Sequence, residues 1–259
     1  MLIGNVAHLP DQQPPIDSWP PVQTAAPPSG AERVIAALEV ILCSGFPTQL
    51  ALVLLMALSG GTGADATLSL AYVVRLSLAD AVLVLGLIWL LLRLRGENPA
   101  SLFLGVRPPG REAIHGLLLV PAALVLVALT SLLLQEVAPW LHNVTENPLE
   151  ALIDSPAAAA AFALVAVIAG GLREEVQRAF VLRRFETHLG GQWLGLVVFS
   201  VAFGLGHLLQ GRDAAIVTGL LGAFWGVVYL RRRSIVAPLV SHAGFNLTEI
   251  FIAYNLAVV

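Results

Sequence analysis

From Arg33 onward, apolar runs of roughly 20 residues alternate with short polar breaks, and that is the length an α-helix needs to cross about 30 Å of hydrocarbon. The pattern predicts seven helices, at about 34–58, 68–92, 113–137, 156–184, 191–210, 214–230 and 235–256. The first is interrupted near Gly45-Phe46-Pro47, where a kink is expected. A polar loop from Gly96 to Arg111, with Pro99, Pro108 and Pro109, separates the second from the third. The loop from Glu136 to Asp154 is acidic and holds no Lys or Arg. The expected fold class is therefore all-α, a polytopic membrane helix bundle of about seven transmembrane helices. Residues 1–30 break the pattern with seven prolines and carry neither a basic n-region nor an apolar h-region. They read as a disordered, partly polyproline tail and not as a signal peptide. Three regions follow: the tail at 1–30, membrane helices over 31–150, and a membrane core over 151–259 that carries the candidate chemistry.

Composition sharpens the class. Of 259 residues, 57% are hydrophobic and only 12% charged, against about 25% charged in a soluble domain. A net charge of −3 speaks against a nucleic-acid partner. Every basic residue is Arg, and Arg93, Arg95, Arg107, Arg111, Arg183, Arg184 and Arg231 to Arg233 all fall on one side if the N-terminus is inside. Arg212 is the exception, in an outside loop. That asymmetry satisfies the positive-inside rule and predicts a multi-pass protein of the plasma (inner) membrane with a cytoplasmic N-terminus. The lone Cys43 cannot form an intrachain disulfide and reads as a small packing residue.

The chemistry concentrates at Gly170-Gly171-Leu172-Arg173-Glu174-Glu175-Val176-Gln177-Arg178. It follows the uncharged run from Ala157 to Ala169, so two adjacent carboxylates and their arginines sit on a segment that otherwise reads as a membrane helix. A random Glu-Glu pair is usually a solvated helix end. Inside a membrane span, ionisable groups face the interior and mark function. Two further helices add polar residues one turn apart: Phe203 with His207, and His242 with Asn246. A lone His on an apolar face is most often a packing residue. Here a helical rise of about 1.5 Å per residue puts Glu174, His207, His242 and Asn246 all near mid-membrane, on three helices, where they can satisfy one another.

These residues resemble the three motifs of the CAAX protease and bacteriocin-processing (CPBP) family, membrane glutamic proteases that include the CAAX prenyl endopeptidase. The motifs are Glu174-Glu175 with Arg178, Phe203-x-x-x-His207 and His242-x-x-x-Asn246. Gly222-x-x-x-Gly226-x-x-Tyr229 before Arg231-Arg232-Arg233 is similar as well. The resemblance covers about 155–256; the first three helices match only as generic spans. It implies an intramembrane endopeptidase that cleaves a membrane-associated or lipidated peptide or protein in the bilayer, with no covalent intermediate and no cofactor or metal. Glu174 would be the general base toward a water also held by His207. His242 and Asn246 would donate to the oxyanion, Phe203 would shape the cleft, and Glu175 with Arg178 would be a supporting ion pair. The family places its arginine four residues after the second Glu, whereas Arg178 stands three after Glu175. That register leaves either carboxylate to face the histidines; motif order favours Glu174. A serine mechanism is disfavoured: Ser200 and Ser241 exist, but no G-x-S-x-G elbow does. Two alternatives stay open. One is a zinc-dependent membrane protease, as a Glu and two His permit. The other is a non-enzymatic immunity or scaffold protein with the same fold; Gly219, Gly222 and Gly226 read first as intramolecular packing.

Overall fold

The computed structural model describes residues 27–58 and 68–258, so nearly all of the tail over 1–30 lies outside the described residues. Among the described residues the chain is helical, without strands. The elements are α1 (Gly30–Leu42), α2 (Phe46–Leu58), α3 (Leu70–Leu94), the short α4 (Pro99–Phe103), α5 (Pro109–Val137), α6 (Pro156–Val165), α7 (Glu174–His188), α8 (Gln192–Leu205), α9 (Arg212–Arg232) and α10 (Val236–Val258). Local sequence starts several of them. Ser29 and Glu32 form a capping box at α1, and Ser69, Asn98 and Ser155 cap α3, α4 and α6 through their side-chain oxygens.

Among the described residues, five helices are long and apolar enough to cross a membrane, counting Pro156–His188 as one, and the bent pair α1–α2 makes up to six. The predicted kink is a real break: α1 and α2 meet at 45°. Gly45 makes the corner with φ of +85°, a left-handed backbone that suits glycine. The fifth expected span is the one that differs. Instead of running over 191–210, α8 stops at Leu205 after 14 residues, about 21 Å and short of a full crossing. Its remaining residues turn through Gly206 and His207 into a 3-10 turn at Leu208–Gln210. The chain is a multi-pass all-α bundle, with five to six spans among the described residues where seven were expected.

Small residues let α8 and α9 approach closely. A Cβ on Gly219 would meet the Ser200 carbonyl at 3.2 Å, and one on Gly222 would meet Phe203 at 2.9 Å, so these glycines serve packing within the chain. Cys43 is buried with Val84, Ile88, Phe180 and Phe185 in the main core cluster. The arginines expected on one side lie near the C-terminal ends of α3, α7 and α9 and at the start of α5, where charges find partners. Arg95 lies 2.7 Å from Glu39, Arg233 lies 2.8 Å from Glu186, and Arg184 pairs with Glu39 and Glu97. Arg232 pairs with Glu112, and Arg107 donates to the Arg232 carbonyl. Arg212 sits elsewhere, its backbone N–H on Asn143.

Candidate active site

The helix that carries the carboxylates is not regular. Between α6 and α7, residues Ala166–Arg173 run as π-helix, a wider turn that is rare and gathers at functional sites. Its glycines face α10. A Cβ on Gly171 would meet Ala243 at 3.1 Å, and one on Gly170 would meet the Asn246 amide nitrogen at 2.5 Å. The π segment therefore lies directly against the His242–Asn246 stretch and delivers Arg173, Glu174 and Glu175 beside it.

The two carboxylates take different partners. Glu175 is buried; its Oε1 is ion-paired with Arg178 and lies 2.9 Å from His242 Nδ1. A carboxylate only accepts, so the imidazole proton belongs on Nδ1. Arg178 has 0% exposure and sits among three aromatic rings, with Cζ 5.1 Å from the Phe199 centroid, 5.3 Å from Phe203 and 5.7 Å from Trp225. Such distances allow the ring faces to stabilise the buried cation. Arg178 is thus the i,i+3 partner of Glu175, and Glu174 is left to face the opening.

Glu174 is half-buried, with Oε2 3.7 Å from His242 Nε2 and Oε1 4.0 Å from an Arg173 guanidinium nitrogen. It lines a cavity of about 230 Å³ together with Phe203, His207, Phe199, Gln49 and the kink residues Ser44 and Gly45. His207 sits just past the end of α8, its ring 4.9 Å from Phe203. Its Nδ1 lies 2.8 Å from the Phe203 carbonyl and donates to it, leaving Nε2 as an acceptor. Asn246 is half-buried, and its Nδ2 and His242 Nε2 converge on Gly170, at 2.5 and 4.0 Å from a Cβ placed there. Of the residues singled out in the sequence, Glu174, His207 and Phe203 line the cavity. His242 lies beside Glu174, Glu175 and Arg178 pair behind it, and Asn246 lies against Gly170; none of these four lines the cavity.

Other residues of the site were not evident from the sequence. Trp225 stacks on His242 at 3.8 Å with 17° between planes, and its indole N–H donates to Ser241 Oγ at 3.1 Å. A tryptophan needing a partner for its N–H inside an apolar helix was the available signal. Asp80, in the middle of α3, pairs with Arg173 and accepts from Thr48 and from Gln49. An acid inside a membrane span is a functional signal by its desolvation cost alone. Among the described residues, no three or more His, Cys, Asp and Glu are placed together to hold a metal ion.

Residues 156–248 match the Rce1-like family model, described as type II CAAX prenyl endopeptidase Rce1-like. This is the family that the three motifs resemble. The Rce1-like segment contains Glu174, Glu175, Arg178, Phe203, His207, His242 and Asn246, while α1 to α5 lie outside it. At the family level the match supports a CAAX-type intramembrane protease. No curated protein and no solved structure matches the chain.

Proposed function

We propose that the chain is an intramembrane glutamic-type endopeptidase that hydrolyses a peptide bond of a membrane-associated or lipidated substrate through a water activated by Glu174 and His207. One observation carries the reading: Glu174 from α7 and His207 from the turn after α8 border one cavity, with Glu174 3.7 Å from His242. A water between them can give one proton to Glu174 while its second O–H is accepted by His207 Nε2, the nitrogen left free by the Phe203 carbonyl. The resulting hydroxide attacks the scissile carbonyl, and Glu174 returns its proton to the departing amine. Charge on the carbonyl oxygen needs fixed donors. The Asn246 amide supplies one, and His242 supplies a second from Nε2 when both its ring nitrogens carry protons. Glu175 and Arg178 hold His242 in place from behind, and Trp225 fixes its plane. Phe203 forms the wall beside the cleft. The setting is the plasma membrane, with the arginine-rich end cytoplasmic.

The test is turnover of a quenched prenylated CAAX peptide by the full-length protein in lipid nanodiscs, with and without a chelator. Cleavage that survives the chelator and disappears in Glu174→Gln is the expected result. Cleavage abolished by the chelator and restored by zinc would establish the metal-dependent alternative. No cleavage of any prenylated peptide would remove lipidated CAAX substrates from the reading.

A further inference from the structure

Arg173 occupies an unusual place. It is the last residue of the π segment, directly before Glu174, and only 7% exposed. One guanidinium nitrogen pairs with Asp80, and the other lies 4.0 Å from Glu174 Oε1. Asp80 is itself 3% exposed and is held on both oxygens, by the Thr48 hydroxyl on one and the Gln49 amide, at 3.5 Å, on the other. Asp80 belongs to α3, Thr48 and Gln49 to α2. The break between α1 and α2 makes room for this arrangement. Gly45 lies against the Arg173 guanidinium, so closely that a Cβ would meet its Cζ at 3.2 Å. Arg173, Gln49 and Gly45 line the same cavity as Glu174 and His207.

We infer that Arg173 and Asp80 are positioning residues for Glu174, so that α2 and α3, which lie outside the Rce1-like segment, complete the candidate site. The physical reason is geometric and electrostatic. A glutamate carries rotatable bonds that a productive base must have frozen. Glu175 is frozen by two partners, but Glu174 has only the loose approach of His242 on one oxygen and of Arg173 on the other. Arg173 alone would also be mobile; Asp80 anchors its far nitrogen. A buried guanidinium needs a counter-charge, and Asp80 supplies it from another helix. The pair thus orients a carboxylate it never replaces, and it acts only through Glu174.

The inference rests on Glu174 being the base, and two readouts separate the two ideas. The first needs no substrate: labelling of the full-length protein in nanodiscs by a hydrophobic carbodiimide, read residue by residue by mass spectrometry. A guanidinium at Oε1 shields that carboxyl, so Asp80→Asn and Arg173→Gln should raise labelling at Glu174 several-fold while Glu175 and Glu112 stay as in the unaltered protein. Equal labelling at Glu174 in all three proteins overturns the inference. So does a rise at Glu175 and Glu112 as well, which would mean general loosening. The second readout is turnover of the quenched prenylated CAAX peptide. A misplacement of about 1 Å can cost on the order of 10²-fold, so Arg173→Gln should lower kcat by about that factor with KM unchanged, and Arg173→Lys should recover part of it. A rise in KM with kcat intact would make Arg173 a substrate-binding residue and overturn the positioning role. Selective labelling of Glu174 without any peptide cleavage would leave the positioning role standing and refute the proposed peptidase activity.

Discussion

Glu174 and Glu175 are neighbours in sequence, yet a step of one residue turns a helical side chain by about 100°, and that rotation separates their surroundings. Glu175 meets Arg178 and His242 in the dry interior, whereas Glu174 meets the cavity. Removing one partner of a buried ion pair costs about 3–5 kcal/mol. Glu175→Gln should therefore lower the thermal midpoint of the purified protein clearly, and Glu174→Gln should leave it nearly unchanged while abolishing hydrolysis. Loss of activity in Glu175→Gln at unchanged stability, with Glu174→Gln tolerated, would reverse the two roles. Asn246 offers a second residue-level check. Losing one preorganised oxyanion donor typically costs about 10²–10³ in rate, so Asn246→Ala should reduce kcat by that order and leave KM alone. The double variant with His242→Ala should fall well short of the product of the single effects. An effect of Asn246→Ala confined to KM would move Asn246 to substrate binding or helix packing.

At the scale of elements, hydrophobic periodicity located the apolar helices to within a few residues, because burial in lipid demands a continuous apolar run. The kink was legible from Gly45-Phe46-Pro47 instead, and the backbone breaks there, with Gly45 at a left-handed φ making the corner. Periodicity could not locate the π segment over Ala166–Arg173, since one wider turn leaves the apolar composition unchanged. Nor could it show where α8 ends: Leu208 and Leu209 continue the apolar pattern after the helix has stopped at Leu205. The π segment makes its own prediction through Gly170. A methyl group there would press on the Asn246 amide, the mobile end of a side chain, at 2.5 Å. Gly170→Ala should therefore fold and insert, yet lose activity about as Asn246→Ala does, on the order of 10²–10³-fold. Unfolding of Gly170→Ala, or full activity in it, would contradict the close approach of the π segment to α10.

For the whole molecule, the charge pattern carried more information than any single motif. The arginines expected on one side form pairs that tie α1, α3, α5, α7 and α9 together. A reporter fused after Arg95 or Arg184 should accordingly be cytoplasmic, and one at Asn147 external; a cytoplasmic signal at Asn147 would invert the topology. What the sequence left hidden was tertiary. Thr48 lies 32 residues and Arg173 93 residues from Asp80 along the chain, Thr48 and Asp80 on helices that resemble no motif, and only packing brings the three together. Trp225 was hidden likewise, its role visible only once His242 lay on its face. The central claim, that Glu174 drives peptide hydrolysis in the membrane, is tested most directly by comparing protein termini. Membrane fractions from cells carrying the unaltered protein or Glu174→Gln are compared by quantitative mass spectrometry of their peptide ends. New termini on a membrane-associated or lipidated protein, present with the unaltered chain and absent with Glu174→Gln at equal expression, are the predicted result. Identical termini in both, with the cellular phenotype intact, would contradict the claim and favour a non-enzymatic membrane protein of the same fold.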